Sequence, residues 1–198
     1  MIFWDVDTQK DFLLPGGHLY VPGAEQIIPN LRELTMCAGE RGITIIASAC
    51  AHQPGDAELQ TFGEHCMAGT PGQQKVPETL LPNHFTVPNR KVDLPELKTF
   101  PQIIIEKQHF DVFTNPNTES VLSQCGSSLL IILYGVTTDI CVAHAANALL
   151  ERGHRVQLVS DAIAALDAKK ASAFLDSFRD RGGALVETRD VLRRAQAA

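Results

Sequence analysis

The chain has 198 residues, of which 44% are apolar and 20% are charged, and this is the make-up of one soluble globular domain. Its formal net charge of −6 and its scattered basic pairs, such as Arg193–Arg194, argue against nucleic-acid binding. The sequence has no apolar run near the roughly 18 residues of a membrane span, and no cleavable signal opens it. We therefore expect a cytoplasmic protein without membrane partners, with a single domain over residues 1–198.

The cysteines are odd in number and spread along the chain without a C-x-x-C pair: Cys37, Cys50, Cys66, Cys125 and Cys141. A disulfide framework would require an even, regularly spaced set. This pattern therefore indicates a reducing compartment.

Short apolar runs alternate with helical segments along the whole chain. Buried strands are predicted at residues 2–6, 43–47, 102–106, 129–134, 154–159 and 184–186. Helices are predicted at residues 24–40, 115–124, 141–150 and 167–181, with a helical tail from residue 191. Such alternation predicts an α/β protein with a doubly wound parallel sheet.

The first strand ends in acidic residues, and Asp7 leads directly into a loop. An acid at the carboxyl end of a central parallel strand lies at the usual ligand crevice of an open α/β sheet. The alternative is that Asp7 only caps a turn. We expect Asp11, further along the same loop, to be structural.

The polar segment of residues 48–78 contains three side chains of metal-ligand type, Cys50, His52 and His65. Cys and His together suit zinc, but their spacing fits no zinc-finger pattern, so the spacing alone favours exposed loop histidines over a metal site. We expect the acids of this segment to be solvated: Asp56, Glu58 and Glu64.

Lys107 follows the third apolar run, and His109 is a competing candidate base two residues later. A lysine beside a strand end is commonly a surface charge. Here, however, it falls at the same predicted sheet edge as Asp7, which makes it a candidate site residue.

Cys141 falls where the apolar run 129–134 gives way, after Gly135 and the N-cap types 137–139, to an alanine-rich helix. Free N–H groups and the helix dipole favour a thiolate there, and the same N–H groups could hold an oxyanion. The alternative is a small buried cysteine that only packs at the start of the helix.

Three motifs resemble those of the isochorismatase-like cysteine hydrolase superfamily, and within it the nicotinamidase-related amidases. They are DTQKDF at residues 7–12, EKQHFDVF at 106–113 and GVTTDICV at 135–142. Their order and spacing cover nearly the whole chain. The resemblance implies a three-layer, Rossmann-like α/β/α fold with a six-stranded parallel sheet.

The resemblance also implies site residues. Asp7, Lys107 and Cys141 would form a catalytic triad, and Phe12 would contact the substrate. A cis peptide bond would join Val136 and Thr137, and the N–H groups of Thr137 and Cys141 would hold the oxyanion. The implied reaction is hydrolysis of a small amide through a thioester, with release of ammonia and without a nucleotide cofactor, in a homo-oligomer such as a dimer or tetramer.

The resemblance further implies a divalent metal, often zinc, and places His52 and His65 at its two histidine positions. The departure is Cys50, where the related amidases have Asp. A thiolate could ligate zinc and would select more strongly against magnesium, or the site could be lost together with activity on nicotinamide.

Three rival functions remain open at this point. The chain could hydrolyse another small substrate, such as a ureido or carbamoyl compound. It could be a non-catalytic small-molecule binder, or Cys141 could sense oxidants. Isochorismatases proper lack the nucleophilic cysteine, so Cys141 favours hydrolysis of an acyl compound.

Overall fold

A computed structural model of the chain describes residues 1–197, and its centre is a parallel sheet of seven strands. In chain order β1 to β7 are Ile2–Val6, Ile45–Cys50, His84–Val87, Gln102–Lys107, Leu130–Val136, Arg155–Ala164 and Ala184–Val186. In space the order is β3-β4-β2-β1-β5-β6-β7, and all neighbours are parallel. The predicted α/β class with a parallel sheet is therefore confirmed.

Helices cover both faces of this sheet. In chain order α1 to α7 are Lys10–Leu13, Ile28–Arg41, Leu59–Phe62, Thr118–Cys125, Cys141–Glu151, Ala168–Asp180 and Thr188–Gln196. The apolar sides of α4, α5 and α6 pack in one core, and those of α2 and α7 pack in a second core on the opposite face. None of the helices within residues 1–197 combines the length and hydropathy needed to cross a membrane.

Strand β1 supplies both cores because successive side chains of a strand point to opposite faces. Trp4 and Val6 pack with the α5 face, whereas Phe3 packs with the α2 face. All five residues of β1 are buried, which explains why the first apolar run of the sequence is nearly continuous.

The prediction of six strands was wrong by one. The additional strand, β3, is short, only partly buried and paired to β4 alone. An edge strand needs little apolar surface, so its sequence HFTV lacks the signal that marks the central strands. The last long strand, β6, also extends to Ala164, five residues past the prediction, and leads the chain back to the site.

The carboxyl ends of four neighbouring strands, β4, β2, β1 and β5, meet at one edge of the sheet. Close approach there depends on Gly135, which has a φ of 116° at a register shift between β5 and β6. A Cβ atom at this position would lie 2.1 Å from the carbonyl oxygen of Val6. Glycine thus lets β5 pack directly on β1 just before the predicted nucleophile turn.

Candidate active site

Lys107 joins the other two residues of the predicted triad. It is the last residue of β4, and its Nζ lies 2.9 Å from Oδ2 of Asp7 and 3.5 Å from Sγ of Cys141. All three side chains are buried. His109, the competing candidate base, is exposed. The topology therefore gathers a carboxylate, an ammonium group and a thiol in one desolvated cluster.

The carboxylate of Asp7 is held from two sides. Its Oδ2 pairs with Lys107, and its Oδ1 accepts a hydrogen bond of 2.6 Å from Oγ of Ser48 on β2. The backbone of Asp7 has a φ of 49°, in the left-handed region that Asp adopts more readily than most residues. This turn aims the side chain across the strand ends, and Ser48 is a supporting contact that the sequence did not reveal.

The turn before Cys141 is fixed by its own backbone. The carbonyl of Thr137 accepts hydrogen bonds from the N–H groups of Ile140 and Val142, at 3.1 and 3.0 Å. The hydroxyl and N–H of Thr138 both donate to the carbonyl of Ala164 at the end of β6. Cys141 is the first residue of α5, where the helix itself offers its N–H no acceptor. The peptide bond between Val136 and Thr137 is cis.

Burial dominates the ionisation of the cluster. Desolvation raises the pKa of the Cys141 thiol well above its usual range, and the charge of Lys107 opposes this shift. Desolvation is the largest single effect on Lys107 and lowers its pKa, but the charges of Asp7, Cys141 and Cys50 and the hydrogen bond to Asp7 together outweigh it, so the pKa is raised. The resting site therefore holds a neutral thiol beside an Asp7–Lys107 ion pair.

A small, narrow cavity, partly open to solvent, lies over the Cys141 side chain. Most of its lining residues are apolar: Phe12, Leu19, Phe62, Phe110, Ile140 and Leu166. The remaining lining residues are Glu58, Thr137 and Cys141. The cavity wall thus contains one carboxylate and no cationic side chain.

Beside this cavity the loop histidines approach each other around a carboxylate. The ring centroids of His52 and His65 are 4.7 Å apart, and both rings are fully buried. Oε1 of Glu58 lies 3.7 Å from Nε2 of each histidine. The rings of Phe12 and His65 make an edge-to-face contact, with their centroids 5.4 Å apart.

The histidines are oriented as metal ligands are. Nδ1 of His52 lies 3.2 Å from Oδ2 of Asp56, and Nδ1 of His65 lies 2.9 Å from the carbonyl of Gly63. Both Nε2 atoms are left buried without a hydrogen-bond partner, as is Oε2 of Glu58. A hydrogen bond at Nδ1 fixes the orientation of the imidazole ring and leaves Nε2 free to bind a metal. Burial also lowers the pKa of His52, which keeps its ring neutral.

Cys50 lies between the two clusters. Ligand atoms of Cys50, His52 and Glu58 lie within 4.8 Å of one another. The same Sγ also lies 3.2 Å from Nζ of Lys107 and 3.8 Å from Oδ2 of Asp7. Its backbone is fixed by Gln9, whose side-chain amide bonds both the N–H and the carbonyl of Cys50 at 2.7 and 2.8 Å. The donor set of thiol, imidazole and carboxylate fits zinc.

Glu58 corrects one sequence-based expectation. It was expected to be solvated, but it is buried between the two histidines, whereas Glu64 is exposed and Asp56 is half-buried. The short helix α3 begins directly after Glu58 and ends at Phe62, which also lines the cavity. The available signal was the position of this acid between His52 and His65, which the sequence analysis did not use. Asp11 is structural in its contacts, since it accepts N–H bonds from Cys66 and His18.

The sequence matches the isochorismatase domain family over residues 4–190. The chain belongs to the isochorismatase family. Its curated relatives include the nicotinamidase of Acinetobacter baylyi, which is 29% identical over 178 residues, covering 82% of this chain and 80% of that protein. A protein of Arabidopsis thaliana named "Probable inactive nicotinamidase" is 28% identical over 137 residues, covering 69% of this chain and 66% of its own length.

A solved structure extends the family comparison to a metal. The pyrazinamidase of Pyrococcus horikoshii in complex with zinc is 27% identical and has a TM-score of 0.75. The match covers 94% of this family member and 98% of that chain. The isochorismatase-family fold is therefore shared over almost the whole of both proteins.

Proposed function

We propose that the protein is a cysteine-dependent hydrolase of small primary amides that works through a thioester and releases ammonia. The observation that carries this proposal is the position of Lys107 Nζ, which contacts both Asp7 and Cys141. The Lys107 ammonium group thus lies between the carboxylate of Asp7, a candidate acid and base, and the thiol of Cys141, a candidate nucleophile, which lines the cavity. Family membership supports a hydrolase, and its nicotinamidase and pyrazinamidase relatives support an amide substrate.

In the proposed reaction Asp7 accepts the thiol proton as Sγ of Cys141 attacks the amide carbon. The electron pair of the carbonyl moves onto oxygen, where the N–H groups of Thr137 and Cys141 hold it. Asp7 then returns the proton to the nitrogen, the C–N bond breaks and ammonia leaves. Water, deprotonated by Asp7, attacks the thioester and releases the acid and the thiol. Lys107 keeps its charge throughout and balances the thiolate and the carboxylate.

The cavity wall favours an uncharged substrate with a small apolar or aromatic body. Phe12, Phe62 and Phe110 offer contact area, whereas Glu58 is the one charged residue of the wall. Without a bound metal, a substrate carboxylate would be buried there without a cationic partner, which is unfavourable. This argues against ureido or carbamoyl acids as the substrate class.

We also propose that zinc binds to His52, His65, Glu58 and Cys50. The orphaned Nε2 atoms, the orphaned Glu58 oxygen and the buried thiol support this set, as does the zinc complex of the related pyrazinamidase. When bound, the metal would supply a Lewis-acidic anchor for a lone pair of the substrate body. Compared with the three ligands proposed from the sequence, Glu58 is an addition.

The decisive experiment measures ammonia release from a panel of small amides, including nicotinamide, pyrazinamide, benzamide and succinamide, with and without a chelator. Cys141→Ala should lower turnover of every active amide by more than about a thousandfold. Circular dichroism of the variant should match that of the wild type, because only one sulfur atom is lost. The control Cys125→Ala removes a half-buried thiol on α4, outside the cavity, and should retain activity. Full ammonia release by Cys141→Ala contradicts the proposal.

A further inference from the structure

Thr137 carries a buried hydroxyl that the proposed mechanism does not use. Within residues 1–197, four of the buried side-chain polar atoms without a hydrogen-bond partner belong to residues at or beside the cavity. Three of them are the His52, His65 and Glu58 atoms that face one another. The fourth is Oγ1 of Thr137. A buried hydroxyl without a partner is unfavourable, so its retention at a site suggests a use for it.

The surroundings of this hydroxyl point towards the reacting atoms. Thr137 is 4% exposed and lines the same cavity as Cys141. Its carbonyl is fixed by two hydrogen bonds within the nucleophile turn, so the residue has a defined position. The neighbouring hydroxyl of Thr138 is satisfied by the carbonyl of Ala164 at 3.0 Å and lies outside the cavity wall. Of the two adjacent threonines, only Thr137 lines the cavity, and its hydroxyl is the one without a hydrogen-bond partner.

We propose that the Thr137 hydroxyl is a third donor to the oxyanion, and this inference rests on the proposed amide hydrolysis. Oγ1 and the backbone nitrogen of one threonine are tied to the same Cα, so both can address one oxygen atom. As Sγ of Cys141 bonds to the acyl carbon, the carbonyl π pair moves onto oxygen and the thiol proton goes to Asp7. The hydroxyl keeps its own proton and donates a hydrogen bond to the oxyanion. In a desolvated site such a bond strengthens as the negative charge develops.

The kinetic test compares Thr137→Val, which keeps the shape and removes the hydroxyl, with Thr137→Ser, which keeps the hydroxyl. With the best amide of the panel, Thr137→Val should lower kcat by roughly 10- to 100-fold while KM changes by less than about threefold. Thr137→Ser should recover most of kcat. The control Thr188→Val removes a buried hydroxyl that bonds Asp161 on β6, outside the cavity wall, and should leave both constants unchanged.

A second measurement does not depend on turnover. Benzaldehyde should add to the Cys141 thiol: the S–C bond forms as the S–H bond breaks, the thiol proton passes to Asp7, and the carbonyl π pair moves onto the oxygen, which occupies the oxyanion position of the tetrahedral adduct. Thr137→Val should weaken this adduct by about the factor lost in kcat. Binding of benzamide to the Cys141→Ala protein should change by less than about twofold when Thr137→Val is added, because the ground-state carbonyl gains little from the hydroxyl.

The outcomes separate this inference from the proposed function. Unchanged kcat and an unchanged adduct in Thr137→Val overturn the role of the hydroxyl. Equal losses in Thr137→Val and Thr137→Ser also overturn it, because packing then explains both. If no amide is hydrolysed but the adduct forms and weakens in Thr137→Val, amide hydrolysis fails and the oxyanion contact stands. If benzaldehyde forms no adduct with the wild type and no amide of the panel is hydrolysed, both are wrong.

Discussion

Lys107 controls the charge balance of the site because one ammonium group serves three acidic partners. It contacts Asp7, Cys50 and Cys141 within 3.5 Å while it is 1% exposed. Burial favours the neutral form of each thiol, and the ammonium charge favours the thiolates. The reactivity of Cys141 should therefore depend on Lys107 more than on the helix start alone.

Replacing Lys107 by methionine should make the Cys141 thiolate rarer at every pH. Burial already raises the pKa of Cys141, and the charge of Lys107 is the main opposing effect. Without that charge the pKa rises further, so the midpoint of alkylation by iodoacetamide should move to higher pH. Mass spectrometry of the Cys141 peptide against pH measures this shift. Alkylation of half-buried Cys37 is the internal reference, and an equal shift at both thiols contradicts the prediction.

The metal cluster makes a separate prediction at the residue scale. Purified protein should carry near-stoichiometric zinc, and His65→Ala or Glu58→Gln should lose most of it. Cobalt substitution should give a sulfur-to-metal charge-transfer band in the near ultraviolet, because Cys50 supplies a thiolate. Cys50→Asp should retain metal but lose this band, and Cys125→Ala should keep both. Protein that is metal-free, fully active and indifferent to added zinc contradicts the site.

Asp7 and Lys107 could be found from the sequence because they lie at strand ends, whereas the contacts of Glu58 and Ser48 could not. Asp7 and Lys107 border apolar runs, and parallel order brings such ends together, so their proximity follows from the predicted topology. Glu58 and Ser48 depend on how a polar loop folds and on which atoms a strand places beside Asp7. Neither burial of a carboxylate in a loop nor a serine contact leaves a local pattern in the sequence.

At the scale of elements, the strand–turn–helix unit from β5 to α5 depends on its close contact with β1. Gly135→Ala should destabilise the protein by more than about 3 kcal/mol or prevent soluble expression, because the new Cβ meets the Val6 carbonyl oxygen at 2.1 Å and φ is 116°. Gly153→Ala is the matched control. Its φ is also positive, at 77°, but a Cβ there meets nothing within 4 Å. It should cost only about 1 kcal/mol.

Urea unfolding of both glycine variants measures this difference. Equal losses of unfolding free energy would mean that only the backbone conformation matters and that the contact between β1 and β5 does not.

The elements themselves were predictable to different degrees. The central strands β1, β2, β4 and β5 are buried, so their apolar runs are unmistakable, and they were located to within about three residues at each end. The edge strand β7 was located as well, from the short apolar run at residues 184–186. Edge strand β3 escaped because partial burial requires few apolar residues. The extension of β6 to Ala164 escaped because Ser160 and Asp161 are polar, although they continue the strand at its exposed positions.

At the scale of the whole molecule, two cores share one sheet, and the family match spans residues 4–190. The single domain over residues 1–198 stays a prediction. The fold class followed from alternation of strands and helices alone. The ligand of the cavity did not, because the specificity of this fold depends on loops that differ among its members.

The charge of the whole molecule leads to a last prediction about substrate selection. The net charge is −6, and the cavity wall adds a carboxylate without a cation. Succinamide and succinamate have nearly the same shape and differ in one charged group, so they isolate this effect. For protein from which a chelator has removed the metal, we expect kcat/KM, measured by ammonia release, to be at least about tenfold lower for succinamate, since its carboxylate is repelled and left unpaired when buried. Raising the salt concentration to about 0.5 M should narrow the difference by screening the long-range part, while the constant for neutral succinamide stays level. The prediction is contradicted if succinamate is preferred, or if the two kcat/KM values are equal at low and at high salt. Either result would show that a cation outside the cavity wall pairs with the substrate carboxylate. Ureido and carbamoyl acids would then again be candidate substrates.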